Sequence, residues 1–299
     1  YQARDCAIVL AQQFKAHVLL GSASPSLESY YNSMQGKYSY IRLEQRFGES
    51  SLPEIQTISM KEAQQFGKLK GLFTEPLLEE MQKQFDAGKQ VIVFRNRRGY
   101  SPLLQCSNCL WEAGCSRCDV HMTLHKMQNK LKCHICGNQK EVPQRCPECG
   151  QYTLRILGFG TEQIEEELKS HFPDKKVQRL DLDSARSRTM QQKIIEAFQE
   201  QEIDILVGTQ MVTKGLDFDH VGLVGILQAD QILLFPEFRA HERGYQLLTQ
   251  VSGRAGRRNE IGKVLIQGYH IHHPVIAYVM QHKPEAFYQN ELAERRKFK

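Results

Sequence analysis

The 299 residues contain no GxxxxGK[ST] phosphate loop, so by that device they cannot cradle a nucleoside triphosphate unaided. They also lack any apolar run of the eighteen or so residues that a membrane helix needs. The longest candidate, VGLVGILQADQILLF, is broken by Gln228, Asp230 and Gln231, which excludes a membrane-spanning role for it. The first twenty residues lack a signal-peptide layout and an initiating Met; they read as a fragment cut from inside a fold, in a cytoplasmic protein. Neither sign of charge dominates. A formal net charge of +5 permits nucleic-acid binding without requiring it. What remains, at 41% hydrophobic and 24% charged residues, is a soluble globular chain long enough for one large or two ordinary domains.

Cysteine is the exception to this ordinary composition. Eight of the nine cysteines form four CxxC pairs, and Cys6 alone is left over as a small core residue. Each CxxC knuckle sets two sulfurs on one tight turn, half of a tetrahedral Zn²⁺ site, so four knuckles predict two structural zinc ions. A disulfide framework would need an exported chain, and a redox CxxC would come singly. The x14 spacing between the inner pairs suits a zinc-ribbon hairpin, with MTLHKMQNKLKC as two short strands around a polar turn. That places Cys115, Cys118, Cys133 and Cys136 in one site and Cys106, Cys109, Cys146 and Cys149 in the other, nested outside it. Sequential pairing, first knuckle with second and third with fourth, is the rival. His121, His125 and His134 are read as solvated, because eight sulfurs already complete both shells. With four ligands per ion, neither metal has an open position for catalysis. Two ions on eight thiolates would lower the net charge by four, to about +1, so any basic DNA-binding surface must be local.

Around this block, short continuous apolar runs alternate with helical segments. The candidate strands are 17–24, 90–95, 176–183, 204–210, 221–227 and 263–269. Continuous β-branched and leucine-rich runs fit strands covered on both faces, and their alternation with helices predicts a parallel α/β sheet. In TEQIEEELKSHF, Ile164, Leu168 and Phe172 line one helical face. Ligands of such sheets gather where the strands end. Three stretches carry unusual residues: LLGSASPS and ILVGTQMVTKGLDF after strands, and QVSGRAGR on the helix before the next strand. The last holds two arginines three residues apart, each preceded by glycine. Paired arginines of this kind usually face a triphosphate.

These stretches resemble motifs III, V and VI of superfamily 2 helicases, in that order. The NRRGYSPLLQC junction and the eight-cysteine insertion narrow the resemblance to the PriA family of bacterial primosomal replication-restart helicases, over essentially the whole chain. One departure is Ser24, where many relatives carry Thr; the hydroxyl is kept. The resemblance implies an ATP-dependent 3′→5′ DNA helicase that recognises stalled forks and starts primosome assembly. It implies Zn²⁺ as a structural cofactor, with ATP and Mg²⁺ as substrate. The implied partners are forked DNA, single-stranded DNA-binding protein and primosome proteins, with the helicase itself a monomer and no membrane involved.

Residues 1–68 would then finish a first RecA-like lobe, while 69–104 and 151–285 form the second. Residues 105–150 are the zinc insertion, and 286–299 begin a linker to a further domain. Arg257 and Arg254 would act across the lobe cleft on the γ-phosphate, with Gln250 placing polar contacts and Gly253 and Gly256 allowing close backbone approach. Gly215 and Asp217 would sense nucleotide. Gly21, Ser22 and Ser24 would couple lobe closure to strand movement. Thr209, Gln210, Arg97 and Arg98 would touch DNA, and Tyr100 would stack a base. Without a phosphate loop the fragment alone is expected to be inactive. A competing reading is a zinc-ribbon docking module on a catalytically dead α/β scaffold, which would have no need of motifs V and VI. A RecG-like or type I restriction translocase would share those motifs and lack the cysteines.

Overall fold

Strands form where short β-branched runs find neighbours on both sides. The computed structural model describes residues 2–43, 51–96, 103–109, 111–118, 120–125, 129–133, 135–157, 160–181, 187–213, 218–234, 237–256 and 261–297. These fall into two compact units: residues 43–283, and residues 1–42 together with 284–299.

The larger unit is built on a parallel sheet of six strands. In chain order they are β1 (Glu54–Ser59), β4 (Gln90–Arg95), β10 (Val177–Leu180), β11 (Ile205–Gly208), β12 (Val221–Leu227) and β13 (Lys263–Gly268). In space the order is β1-β13-β12-β4-β11-β10. Every residue of β4 and β11 is buried, as a strand covered by helices on both faces requires. The helices are α3 (Met60–Gln65), α4 (Glu75–Asp86), α5 (Thr161–His171), α6 (Arg188–Gln199), α7 (Asp230–Leu233), α8 (Ala240–Ser252) and α9 (Pro274–Met280). A small hairpin of β2 (Leu69–Lys70) and β3 (Phe73–Thr74) leads into α4. One face of the core joins Phe73, Leu77 and Met81 to Ile164 and Leu168 of α5 across the sheet residues Val91, Val93, Ile205 and Val207. The predicted apolar face of α5 is therefore its buried face.

The structure departs from expectation at residues 17–24, at β1 and at Cys6, which is exposed rather than part of a core. Residues 17–24 are not a strand: they have no regular structure, bend at 23–24 and are largely exposed, with Leu19 at 93% of its full accessibility. A parallel strand needs neighbours to bond its backbone, and among the described residues the smaller unit contains no strand at all. That unit is helical, with α1 (Ala3–Gln13), α2 (Leu27–Met34) and α10 (Pro284–Arg296). Ser26 caps α2 by accepting from Ser29 N–H at 3.2 Å. The Tyr288 hydroxyl donates to Pro25 O at 2.9 Å, and its ring stacks on Tyr30 at 4.7 Å. The second correction is β1, which lies outside the six candidate strands. It is a polar edge strand, paired only with β13, in which Ile55 is the one buried residue. The sheet thus begins by residue 54, and the two compact units divide at 42/43 and 283/284.

Between β4 and α5 lies a separate antiparallel sheet, ordered β8-β7-β6-β5-β9. Its strands are β5 (Leu103–Cys106), β6 (Thr123–His125), β7 (Lys130–Lys132), β8 (Gln139–Glu141) and β9 (Leu154–Leu157). The hairpin expected from MTLHKMQNKLKC is β6 and β7. The first and last strands pair with each other, Cys106 opposite Leu154 and Leu103 opposite Leu157. The insertion therefore leaves and returns at one place, so the parallel sheet is not spread to admit it. Leu104, Met122, Leu124 and Leu131 form its small core.

Candidate functional site

The insertion brings the eight sulfurs into two groups. Cys106, Cys109, Cys146 and Cys149 make one; Cys115, Cys118, Cys133 and Cys136 make the other, and within each the sulfurs lie within 4.8 Å of one another. This is the nested arrangement, and sequential pairing does not occur. Sulfur separations include 3.6 Å for Cys106 to Cys149, 3.5 Å for Cys109 to Cys146 and 3.6 Å for Cys115 to Cys136. A tetrahedral Zn²⁺ with bonds of about 2.3 Å spaces its sulfurs about 3.8 Å apart, so both groups fit the ion.

Local backbone explains the placement. After two of the knuckles comes a glycine with positive φ, Gly137 at 73° and Gly150 at 72°. Each glycine N–H donates back to the first cysteine of its knuckle, at 3.0 Å to Cys133 O and 2.9 Å to Cys146 O. The other two knuckles aim N–H groups at sulfur: Asn108 N–H at Cys106 and Arg117 N–H at Cys115, each at 3.4 Å. The Thr153 hydroxyl bond holds the Cys106 thiol down to about 6, and the Arg117 N–H does the same for Cys115, also to about 6. Cys118 is pushed up to about 12, because Cys136 accepts the proton it retains and burial disfavours its charge. Four sulfurs this close ionise together only around a cation. His121 turns to Glu112 at 3.3 Å and belongs to neither group; His134 lies outside the described residues.

The parallel sheet has two edges, and the described residues of ILVGTQMVTKGLDF and QVSGRAGR divide between them. Thr209 is buried at the carboxyl end of β11, and Gln210 opens the short 3₁₀ turn Gln210–Thr213 that follows. Val212 N–H closes this turn on Thr209 O at 3.1 Å. Gln250, Gly253, Arg254 and Gly256 sit at the opposite, amino edge. The helix α8 starts beside the ends of β12 and β13, where His241 meets the His273 ring at 4.9 Å. It then runs back along the sheet, as any crossover helix must, and delivers its C-terminus to the strand beginnings. There Gly256, with φ of 70°, donates its N–H to Val221 O at 3.1 Å. Residues 250–256 thus lie where strands begin, at the end of the helix that precedes the next strand, as expected from their place in the sequence. Burial lowers the pKa of the half-buried Arg254 guanidinium from its usual value.

A glycine outside the three motifs fixes this loop. A Cβ on Gly262, just before β13, would fall 2.1 Å from Gly256 N and 2.3 Å from Ala255 C. The two backbones are in van der Waals contact. Asp230, in sequence no more than a polar break in an apolar run, is buried at the end of β12. Its Oδ2 accepts from Tyr269 N–H and His270 N–H, both at 3.1 Å. Arg95, at the end of β4, is buried too, which pulls its guanidinium down to about 10. Ser24, in the smaller unit, is buried and its N–H donates to Ser22 Oγ at 3.1 Å; Gly21 has open space where a side chain would be. Gly215, Asp217, Arg257, Arg97, Arg98 and Tyr100 lie outside the described residues.

Comparison with known proteins bears on both sites. Residues 153–259 match the helicase conserved C-terminal domain, and residues 115–140 match the PriA DNA helicase Cys-rich region domain. The chain is 42% identical over 296 residues to replication restart protein PriA of Bacillus subtilis, aligning 99% of itself with 37% of that protein. It is 41% identical over 295 residues to its Haemophilus influenzae counterpart, with 99% and 40% coverage. The chain therefore spans well under half the length of these relatives. Among solved structures, RecG bound to a three-way DNA junction superposes with a TM-score of 0.50 at 13% identity, covering 91% of this chain and 26% of RecG. At that identity the likeness is one of fold, an α/β RecA-like lobe. With the cysteine-rich domain and the helicase domain matched together, the chain belongs to the PriA family of replication restart proteins.

Proposed function

We propose that this chain is the second RecA-like lobe and zinc module of an ATP-dependent 3′→5′ DNA helicase. In the full-length protein it would act at stalled forks and start primosome assembly. The observation that carries this reading is the division of the motifs between the two edges of one sheet. The arginine loop occupies the amino edge and Thr209–Gln210 the carboxyl edge. β11 ends at the carboxyl edge and β12 begins at the amino edge, and α8 packs against the 3₁₀ turn that follows β11. Such a connection mechanically links a nucleotide edge to a nucleic-acid edge. A passive scaffold would have no use for it.

In this reading Arg257 and Arg254 face the γ-phosphate across the lobe cleft and stabilise charge developing on the transferred phosphoryl group. Burial of Arg254 suits that role, since a half-desolvated guanidinium binds an oxyanion more strongly than a solvated one. Gln250 places polar contacts, and Gly215 and Asp217 report nucleotide between β11 and β12. Gly21, Ser22 and Ser24 couple closure to strand movement. Thr209 and Gln210 hold DNA phosphates, with Arg97, Arg98 and Tyr100 extending that track. The zinc ions act through folding alone, because the eight sulfurs fill both shells. Single-stranded DNA-binding protein and primosome proteins are the partners, with the helicase acting as a cytoplasmic monomer. The test is DNA-stimulated ATP hydrolysis by the full-length protein. Arg257→Ala should abolish most of it without weakening DNA binding, and hydrolysis that persists at the wild-type rate would refute the assignment.

A further inference from the structure

The carboxyl edge carries a second set of nucleic-acid chemistry, beside β12 and β13, that neither helicase motif includes. Two aromatic rings stand out from the surface there. Phe238, three residues ahead of His241 on α8, is 71% exposed, and Tyr269 at the end of β13 is 45% exposed. The Arg239 guanidinium lies over the Phe238 ring at 5.2 Å. His270 and His272, both exposed, flank the same turn, and His273 joins it to His241 on α8. Buried Asp230 fixes the arrangement. It opens α7, which leads toward Phe238, and its carboxylate holds the N–H groups of both Tyr269 and His270.

We propose that this patch binds single-stranded DNA, with Phe238 and Tyr269 stacking bases and Arg239, His270 and His272 donating to phosphates. This rests on the helicase reading above and extends its DNA track. Exposed aromatics interleaved with guanidinium and imidazole donors are how proteins hold single strands without reading sequence. Continuity supplies the rest. Thr209 and Gln210 follow β11 on the same edge, three strand spacings from β13, or about 14 Å. One bound strand can run over both. The acidic groups nearby do not oppose it: Glu237 is paired with Arg243, and Glu242 and Asp230 are buried. The position also matters for coupling, since α8 carries the patch near its first residue and the arginine loop beyond its last.

The experiment measures binding of a labelled oligothymidine and of a blunt duplex by the full-length protein. It compares wild type with Phe238→Ala, Phe238→Trp, Tyr269→Ala and Arg239→Ala, and melting temperature is recorded for each. Removing one stacking ring should weaken oligothymidine binding about tenfold. Phe238→Trp should retain it, and duplex binding should change less than about threefold. Arg239→Ala should flatten the slope of log affinity against log salt by about 0.7, the value for one single-strand phosphate. Wild-type affinity in the alanine variants would overturn the proposal while leaving the helicase reading intact. So would equal losses for Phe238→Trp and Phe238→Ala, which would mark a packing role. Wild-type protein that binds no DNA would overturn both.

Discussion

Replacing Gly262 by alanine tests the geometry of the arginine loop without touching an arginine. The added methyl group would sit 2.1 Å from Gly256 N, 2.3 Å from Ala255 C and 2.6 Å from Gly256 Cα. All three atoms are backbone, so no side-chain rotation relieves the clash. The loop must retreat by about 1 Å, as an overpacked core site does, at a cost of about 1–3 kcal/mol. The hydrogen bond from Gly256 N–H to Val221 O would break first. A unit of this size should lose about 2–4 °C in melting temperature per kcal/mol. The kinetic effect should be larger, since an error of about 1 Å in the placement of a catalytic group costs on the order of 10²-fold in rate. The assay is steady-state ATP hydrolysis by the full-length protein at saturating DNA, with DNA affinity measured in parallel. We expect kcat to fall about 10²-fold and DNA affinity to hold, because Thr209 and Gln210 lie at the other edge. Turnover close to that of wild type, in a variant that melts several degrees lower, would refute the claim that this loop serves the nucleotide.

Other consequences follow from the same geometry. Metal analysis should find about two Zn²⁺ per chain, and Cys115→Ser should release the inner ion while sparing the Cys106 site; loss of both would contradict independent clusters. Strong chelators should unfold the insertion, seen as loss of the near-ultraviolet signal of Trp111, and leave the parallel sheet folded on its own core; a sheet that melts with the insertion would contradict this. His273 has a pKa below its usual 6.5, chiefly through burial and then through repulsion by His241 and His270, and it caps α9 by accepting from Val275 N–H at 3.3 Å. A depressed histidine stabilises the fold above its unfolded pKa, so stability should decline as pH falls below about 6.5. His273→Asn should flatten that decline in melting temperature between about pH 8 and 5; an unchanged profile would place the titrating group elsewhere.

Much of this architecture is legible in residue patterns. The strands β4, β12 and β13 stand within one residue of their expected bounds, because each is a continuous apolar run between polar turns. CxxC spacing suffices for the two metal clusters, since a knuckle is a local structure that requires only its own few residues. The exceptions are contacts between segments distant in sequence. Residues 17–24 have strand composition and no neighbouring strand to pair with. EIQTIS holds only two apolar residues, Ile55 and Ile58, three apart, and is too short and polar to stand out beside the buried runs. Glycine at 262 looks like an ordinary turn residue until Gly256 is seen against it. The edge at which QVSGRAGR lies follows from helix direction: a crossover helix ends where the next strand begins, and ligand rules written for strand ends do not apply to it.

The central claim, that the arginines of QVSGRAGR serve nucleotide at one edge while DNA is held at the other, is tested most directly by one set of variants. In full-length protein, DNA-stimulated ATPase rate, DNA affinity and melting temperature are measured together for Arg254→Ala, Arg257→Ala and the corresponding lysine substitutions. The account predicts that the alanine at 257 lowers kcat by roughly 10³-fold or more with DNA affinity unchanged. It predicts similar behaviour at 254 and poor rescue by lysine, which keeps the charge and loses the planar fork of donors. A lower melting temperature with turnover per folded molecule intact would contradict it.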